Sequence, residues 1–157
     1  MAIEMVQIKK LSEQRKWMKR FAKGYDGSLL PITNDVFDPK IVKFFVAKEG
    51  NKELGFIRIN DKSPNFNPTD KVWCAQDAYV KPVYRGKGVL KAMLQFVMDV
   101  EAVGMCHLAP EVLLKNFPYY KGLGFSTTSK SPTGLVYMVT DEVRRLRKAK
   151  IEQSVAA

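Results

Sequence analysis

One stretch constrains this chain more than any other: Val80-Lys81-Pro82-Val83-Tyr84-Arg85-Gly86-Lys87-Gly88-Val89-Leu90. A strand pattern runs into it and a long apolar helix pattern runs out of it. Between them lie two glycines, one arginine and two lysines, with no acid. Glycine lets the backbone turn its N–H groups toward a ligand. The first turn of the following helix adds unpaired N–H groups and the positive end of a dipole. Strand, basic glycine turn and helix N-terminus, in this order, make a cradle for a diphosphate.

Two well-known phosphate loops do not fit. GxxxxGK[ST] fails because no Gly-Lys-Ser/Thr follows a glycine at that spacing, and GxGxxG fails because Gly86 and Gly88 lack the third glycine. The charge balance agrees with an anionic partner: 26 Lys and Arg against 16 Asp and Glu give a net charge of +10. Such a chain suits phosphorylated cofactors, nucleic acid, acidic proteins or acidic membrane surfaces, and equally a plain solvated surface. At 157 residues and 46% hydrophobic content the chain is expected to form one domain with a buried core. Cys74, Cys106 and the single His107 are too few, and wrongly spaced, for a Cys/His zinc site. Reduced thiols in a cytoplasmic setting are the simplest expectation. Neither a secretory leader nor an apolar run long enough to span a membrane is visible.

Read in order, Ile3 to Ile8 is a first strand. Ser12 is a candidate N-cap for a helix whose apolar stripe is Trp17, Met18, Phe21, Ala22 and Tyr25. Its other face holds Arg15, Lys16, Lys19, Arg20 and Lys23, either a solvated face or a surface for nucleic acid or an acidic substrate. Gly24 to Pro39 reads as a loop, lining a groove or holding a second short helix. Val42 to Lys48 and Glu53 to Asn60 form a hairpin about Glu49-Gly50-Asn51-Lys52. Asp61 to Asp70 is a polar connection. Lys71 to Val80 is the strand that enters the glycine turn, with Asp77 near its end. Gly88 to Val103 is the strongest helix, with Gly104 as its expected C-cap. Met105 to Leu108 follows as a strand, so strand, helix and strand imply a parallel pair with a right-handed crossover. Asn116 caps a short helix, Phe125 opens a strand, and Leu135 to Thr140 is the last strand. Asp141 to Gln153 is a charged helix, and Ser154 to Ala157 a frayed end.

Two segments at this separation resemble one family. Arg85-Gly86-Lys87-Gly88-Val89-Leu90 is similar to the acetyl-coenzyme A loop Q/R-x-x-G-x-G/A of the GNAT acetyltransferases, with Leu90 where Gly or Ala is usual. Tyr120-Lys121-Gly122-Leu123-Gly124-Phe125 resembles the family's later Tyr-x-x-x-Gly-Phe segment. The likeness covers roughly Ile3 to Thr140, with its specific motifs between Asp77 and Phe125. It implies an α/β (α+β) fold with a mixed, mostly antiparallel central sheet of about six to seven strands. Helices cover both faces, and a parallel strand pair marks the cofactor site. Residues 1–157 would be one such domain, with 141–157 as a charged C-terminal helix and tail.

The resemblance further implies acetyl-coenzyme A as donor, no metal, and a primary amine as acceptor. Main-chain N–H groups of Arg85, Gly86, Lys87, Gly88 and Val89 would hold the pyrophosphate, with charge from Arg85 and Lys87. Lys81 or Lys91 would meet the third phosphate. Ala78, Tyr79 and Val80 would pair with the pantetheine arm, and Asn116 and Tyr119 would complete the cofactor site. A neutral amine attacks the thioester directly, so the reaction needs a base for the amine and an acid for the thiolate. Tyr120 stands at the family's position for the acid, with Tyr119 as substitute. Asp77 is the first choice of base and Glu111 the second. His107 has a suitable pKa, and as a lone His between apolar residues it also reads as a core residue. Leu90 either turns into the core and leaves the cradle open, or narrows it.

Two other readings stay open on these residues. One is an inactive domain of the same fold that binds nucleic acid or an acidic protein through Lys16, Lys19, Arg20, Arg144, Arg145 and Lys148. The other is a generic two-layer α/β domain whose glycine turn is only structural. A homodimer through the long helix or the last strand is possible by analogy alone.

Overall fold

The computed structural model describes residues 2–23, 34–62, 71–100, 104–110, 117–130 and 135–156. In order they form β1 (Glu4–Ile8), α1 (Leu11–Lys23), a 3-10 turn (Asn34–Phe37), β2 (Val42–Glu49), β3 (Lys52–Asp61) and β4 (Val72–Val80). A second 3-10 turn (Pro82–Tyr84) leads to α2 (Val89–Val100), β5 (Gly104–Pro110), α3 (Phe117–Gly122), β6 (Phe125–Lys130), β7 (Leu135–Thr140) and α4 (Asp141–Ala156). Two compact units divide the chain. One holds Met1–Asn60 with Asp77–Phe96, the other Asp61–Gln76 with Val97–Ala157, so β4 and α2 each contribute to both.

The first unit is an antiparallel meander carried into the last part of β4, in the order β1-β2-β3-β4. Glu4 to Ile8 pair with Lys48 to Phe44, and Val42 pairs with Asn60 at the open end of the β2–β3 hairpin. Glu49 and Lys52 close that hairpin across Gly50-Asn51, and a bulge lies between Ala47 and Lys48. Alternation along β2 sends Phe44 and Phe45 to opposite faces, yet Phe44 to Ala47 are all buried. Each face therefore has its own cover. On one, Trp17, Met18 and Phe21 of α1 pack with Val42, Phe44, Val46 and Phe56. Phe56 is the hub, with ring centroids 5.6 Å from Trp17, 6.3 Å from Phe21 and 6.1 Å from Phe44. On the other face, Phe45 meets Phe96 of α2 edge-on at 5.4 Å. The expected placement of helices on both sheet faces thus holds within this unit.

In the second unit the order is β4-β5-β7-β6. β4 runs parallel to β5 from Val72 opposite Gly104 to Ala75 opposite His107. β5 and β7 are antiparallel from Cys106–Val139 to Pro110–Leu135, and β6 pairs antiparallel with β7. Val143 and Leu146 of α4 pack on Val72, Cys74 and Val139.

Several local expectations change. Ser12 is not the N-cap: α1 starts at Leu11, and the N–H groups of Glu13 and Gln14 both donate to Lys10 O at 3.1 Å. The Gln14 side chain turns back to donate to Ile8 O at 3.0 Å, which ties the helix start to β1. Gly104 is the first residue of β5, paired with Val72, and the helix end it was expected to cap lies outside the described residues. α4 runs through Ser154 to Ala156, so the end assigned to fraying is helical. The last three residues of α2's expected span and most of the Gly24–Pro39 and Asp61–Asp70 loops lie outside the described residues. Among the described residues no helix is long and apolar enough to cross a membrane.

Candidate active site

β4 ends at Val80, and Lys81 N donates to Leu54 O at 2.9 Å, which holds the exit of the strand to β3. Pro82 then sets a tight 3-10 turn, closed by Tyr84 N to Lys81 O at 2.9 Å and Arg85 N to Pro82 O at 3.3 Å. Gly86 and Gly88 follow with φ of +76° and +80°, left-handed values that L side chains rarely adopt. A Cβ on either would meet nothing within 4 Å, so it is the backbone conformation, and not crowding, that demands glycine. The first bond of α2 runs from Ala92 N to Gly88 O at 3.0 Å. The N–H groups just ahead of Ala92 have no helical acceptor and stand at the positive end of α2. Val89 is 2% exposed and anchors the helix start in the core, while Arg85, Gly86, Lys87 and Gly88 are exposed. Leu90 is half-buried on the first turn of α2.

Arg85 is already engaged. Its Nε donates to Val80 O at 2.8 Å and its guanidinium lies 5.4 Å from the Tyr79 ring centroid. It therefore fastens the glycine turn back onto the end of β4. Lys87 Nζ sits 5.9 Å from the Tyr84 ring, and Lys91 is exposed on α2. Ala78, Tyr79 and Val80 are half-buried, and the pairing of β4 with β5 stops at Ala75, five residues before the strand ends.

Asp77 is 7% exposed and forms an ion pair with Arg58, whose Nε stands 2.5 Å from its Oδ2. Arg58 also donates from Nη1 to Asn60 Oδ1 at 2.6 Å. Burial pushes the Asp77 carboxyl above its usual range, and Arg58 opposes that by charge and hydrogen bond without reversing it. Arg58 pairs across the hairpin with Phe44 and lies two residues from Phe56, so the pair sits on the α1 side of β3. The sequence reading passed over Arg58 and Asn60. Their signal was a lone arginine inside the apolar run Gly55-Phe56-Ile57-Arg58-Ile59, since a buried guanidinium demands a carboxylate.

Tyr120 belongs to the second unit. It is 2% exposed in α3, with its ring edge-on to Phe125 at 6.3 Å, and burial raises its phenol pKa. Tyr119 lies in the same helix and His107 in β5. Glu111 and Asn116 lie outside the described residues. The first unit thus gathers Asp77, Ala78 to Val80 and Arg85 to Val89 in one segment of chain, and Tyr120 is held apart from them in sequence. Among the described residues no group of three or more His, Cys, Asp or Glu is placed to hold a metal.

Comparison with known proteins gives the family and the fold. Residues 40–127 match the family model described as an acetyltransferase (GNAT) domain, and the chain belongs to that family. No curated protein sequence matches it. Among solved structures, Naa50 of Arabidopsis thaliana, in complex with the bisubstrate analogue CoA-Ac-MVNAL, superposes with a TM-score of 0.67 at 13% identity, covering 88% of this chain and 97% of that one. The ribosomal-protein-S18-alanine N-acetyltransferase of Escherichia coli gives 0.65 at 12% identity, over 88% and 93% of the two chains. The PaiA N-acetyltransferase of Thermoplasma acidophilum, in complex with coenzyme A, gives 0.60 at 14%, over 89% and 99%. At such identities these likenesses speak for the fold: it is the mixed α/β fold of the GNAT acetyltransferases.

Proposed function

We propose that the protein is an N-acetyltransferase that moves an acetyl group from acetyl-coenzyme A to a primary amine. The observation that carries this reading is the pair of left-handed glycines, Gly86 and Gly88, between the end of β4 and the first turn of α2. They let the N–H groups from Gly86 to Val89 face one anion at a helix start, while the Arg85 N–H closes the preceding turn on Pro82 O. Lys87 adds an exposed charge, and Arg85 holds the turn in place through Val80 O. The pantetheine arm lies along Ala78 to Val80, beyond the point where β5 leaves β4.

The amine nitrogen attacks the thioester carbonyl carbon, so a C–N bond forms as the C–S bond breaks. Asp77 takes the proton released from nitrogen. Tyr120 gives its phenolic proton to the departing thiolate, and a raised pKa keeps that proton in place until then. Burial raises the pKa of this carboxyl, which makes it a stronger base, and Arg58 opposes the rise by charge and hydrogen bond.

Calorimetric titration with acetyl-coenzyme A at moderate salt tests the reading, with Gly88→Glu as control. Binding by the wild type that the variant loses supports it, and thiol release with a panel of amines then identifies acceptors. A wild-type protein that does not bind acetyl-coenzyme A overturns it.

A further inference from the structure

Trp17 is 2% exposed, yet two cations lie over it. Arg20 Cζ is 4.9 Å from the ring centroid and Lys81 Nζ is 5.5 Å from it. Both come from the first unit, one from α1 and the other from the residue that follows β4. The ring is a fixed platform, packed 5.6 Å from Phe56 and 6.4 Å from Tyr79. Tyr79 in turn carries Arg85 at 5.4 Å.

Cation–π contact attracts a charge to the ring but leaves it unneutralised. The groups that act on Lys81 show the imbalance. Burial holds its ammonium below the usual range, then repulsion from Arg20 and Lys16 lowers it further, and Glu53 alone opposes. Two of the groups that act on Lys81 are cations, against one carboxylate. Lys16 is exposed, and Arg20 and Lys81 are half-buried with their cationic heads over the Trp17 ring. Like charges held together over a rigid ring form a site for an anion.

The site's position narrows that anion's source. Asp77 and Arg58 lie on the α1 side of the sheet, the side on which Trp17 packs. Lys81 is four residues beyond Asp77 along β4, roughly 13 Å at about 3.3 Å per residue. An extended peptide covers that span in about four residues. Resting on the acetyltransferase reading above, we propose that Lys16, Arg20 and Lys81 form a subsite for acidic side chains of a peptide acceptor, about three to four residues from the amine that is acetylated.

The full chain carrying Trp73→Phe keeps Trp17 as its sole indole, so its fluorescence reports on the platform. It is titrated with the peptide Ala-Ala-Ala-Glu-Glu-Ala amide and with the counterpart bearing Gln for Glu. The acidic peptide is expected to bind at least about tenfold more tightly. Lys16→Gln with Arg20→Gln removes that preference, and the charge-preserving pair Lys16→Arg with Arg20→Lys restores it. Equal binding of the two peptides, no response to either, or a preference that survives the glutamine pair overturns the inference. Calorimetry with acetyl-coenzyme A on the same proteins separates it from the parent reading. Cofactor binding without a peptide preference sinks the subsite alone, and a preference without cofactor binding sinks the enzyme reading alone. Two further outcomes overturn the subsite. In one, the glutamine pair weakens acetyl-coenzyme A but not its 3′-dephospho form, which makes the cluster a phosphate site. In the other, salt-sensitive binding of oligo(dT) disappears in that pair while the two peptides bind alike.

Discussion

Gly55 lies so close to the carbonyl of Tyr79 that a Cβ on residue 55 would stand 2.3 Å from that oxygen and 3.0 Å from the Val80 Cα. Both obstacles are backbone, with no flexible side chain to move aside. One residue earlier, Leu54 O accepts the Lys81 N–H at 2.9 Å, so this close approach fixes the end of β4 against β3. Gly55→Ala is expected to cost about 1–3 kcal/mol, as overpacking does, measured by urea unfolding. It is also expected to weaken acetyl-coenzyme A binding about tenfold or more, because the segment that must shift is the one proposed to hold the pantetheine arm. An alanine variant with wild-type stability and affinity would show that β3 plays no part in placing the site.

Arg58 and Asp77 act as a unit. Arg58→Gln leaves a buried carboxylate without its cation and is expected to cost about 3–5 kcal/mol. The pH dependence has a definite sign. Burial raises the Asp77 pKa and Arg58 lowers it, so removing Arg58 raises it further. If Asp77 is the base, activity is lost as pH falls through its pKa. The acid limb of kcat/KM therefore moves to higher pH in Arg58→Gln. It disappears in Asp77→Asn, where kcat falls by about 10²–10⁴. An acid limb that stays put in Arg58→Gln would remove Asp77 from the chemistry.

These two relationships also mark where sequence reading ends. The cofactor turn was legible because its information is local: glycines, cations and a helix start within a few residues. The apolar stripes of α1 and α2 were legible for the same reason, through their period. Gly55 was not, because what makes it necessary is a carbonyl 24 residues further on. Arg58 was not assigned, because its partner is 19 residues away on another strand. That Gly104 opens a strand was not legible for a related reason. A glycine after a long helix is a common cap, and only its pairing with Val72 makes it a strand residue. Phe45 shows the limit of alternation: β2 is buried on both faces, which its own sequence does not distinguish from a half-exposed strand.

Tyr120→Phe separates a catalytic phenol from a core ring. The ring contact with Phe125 survives the substitution, so packing changes little. Turnover is expected to fall about 10²-fold or more while acetyl-coenzyme A affinity stays unchanged. Burial raises the phenol pKa, so the folded state holds this proton more tightly than the unfolded chain does. The stability it contributes is complete below the unfolded tyrosine range and is lost as pH rises through the folded value. The urea midpoint of the wild type should therefore fall more steeply above about pH 10 than that of Tyr120→Phe. Equal slopes with equal turnover would leave Tyr120 as a core residue and pass the acid role to another group.

Arg85 is the family position at which charge and structure are easiest to confuse. Its exposed guanidinium suits a diphosphate, but its Nε already donates to Val80 O at 2.8 Å while its plane lies over Tyr79. Arg85→Lys keeps the charge and loses the planar fork that makes both contacts together. Arg85→Met loses both charge and fork. If the residue's main work is to hold the glycine turn onto β4, the two variants should lose acetyl-coenzyme A affinity alike. A loss of roughly 3–10-fold corresponds to one hydrogen bond of about 1 kcal/mol. If its work is charge, lysine should bind nearly as the wild type does and methionine much more weakly, and the gap should close as salt is raised. The structure favours the first outcome, because a guanidinium committed to a carbonyl and a ring acts by fixing the backbone of the proposed phosphate turn. Calorimetric titration of the three proteins at two salt concentrations decides between them.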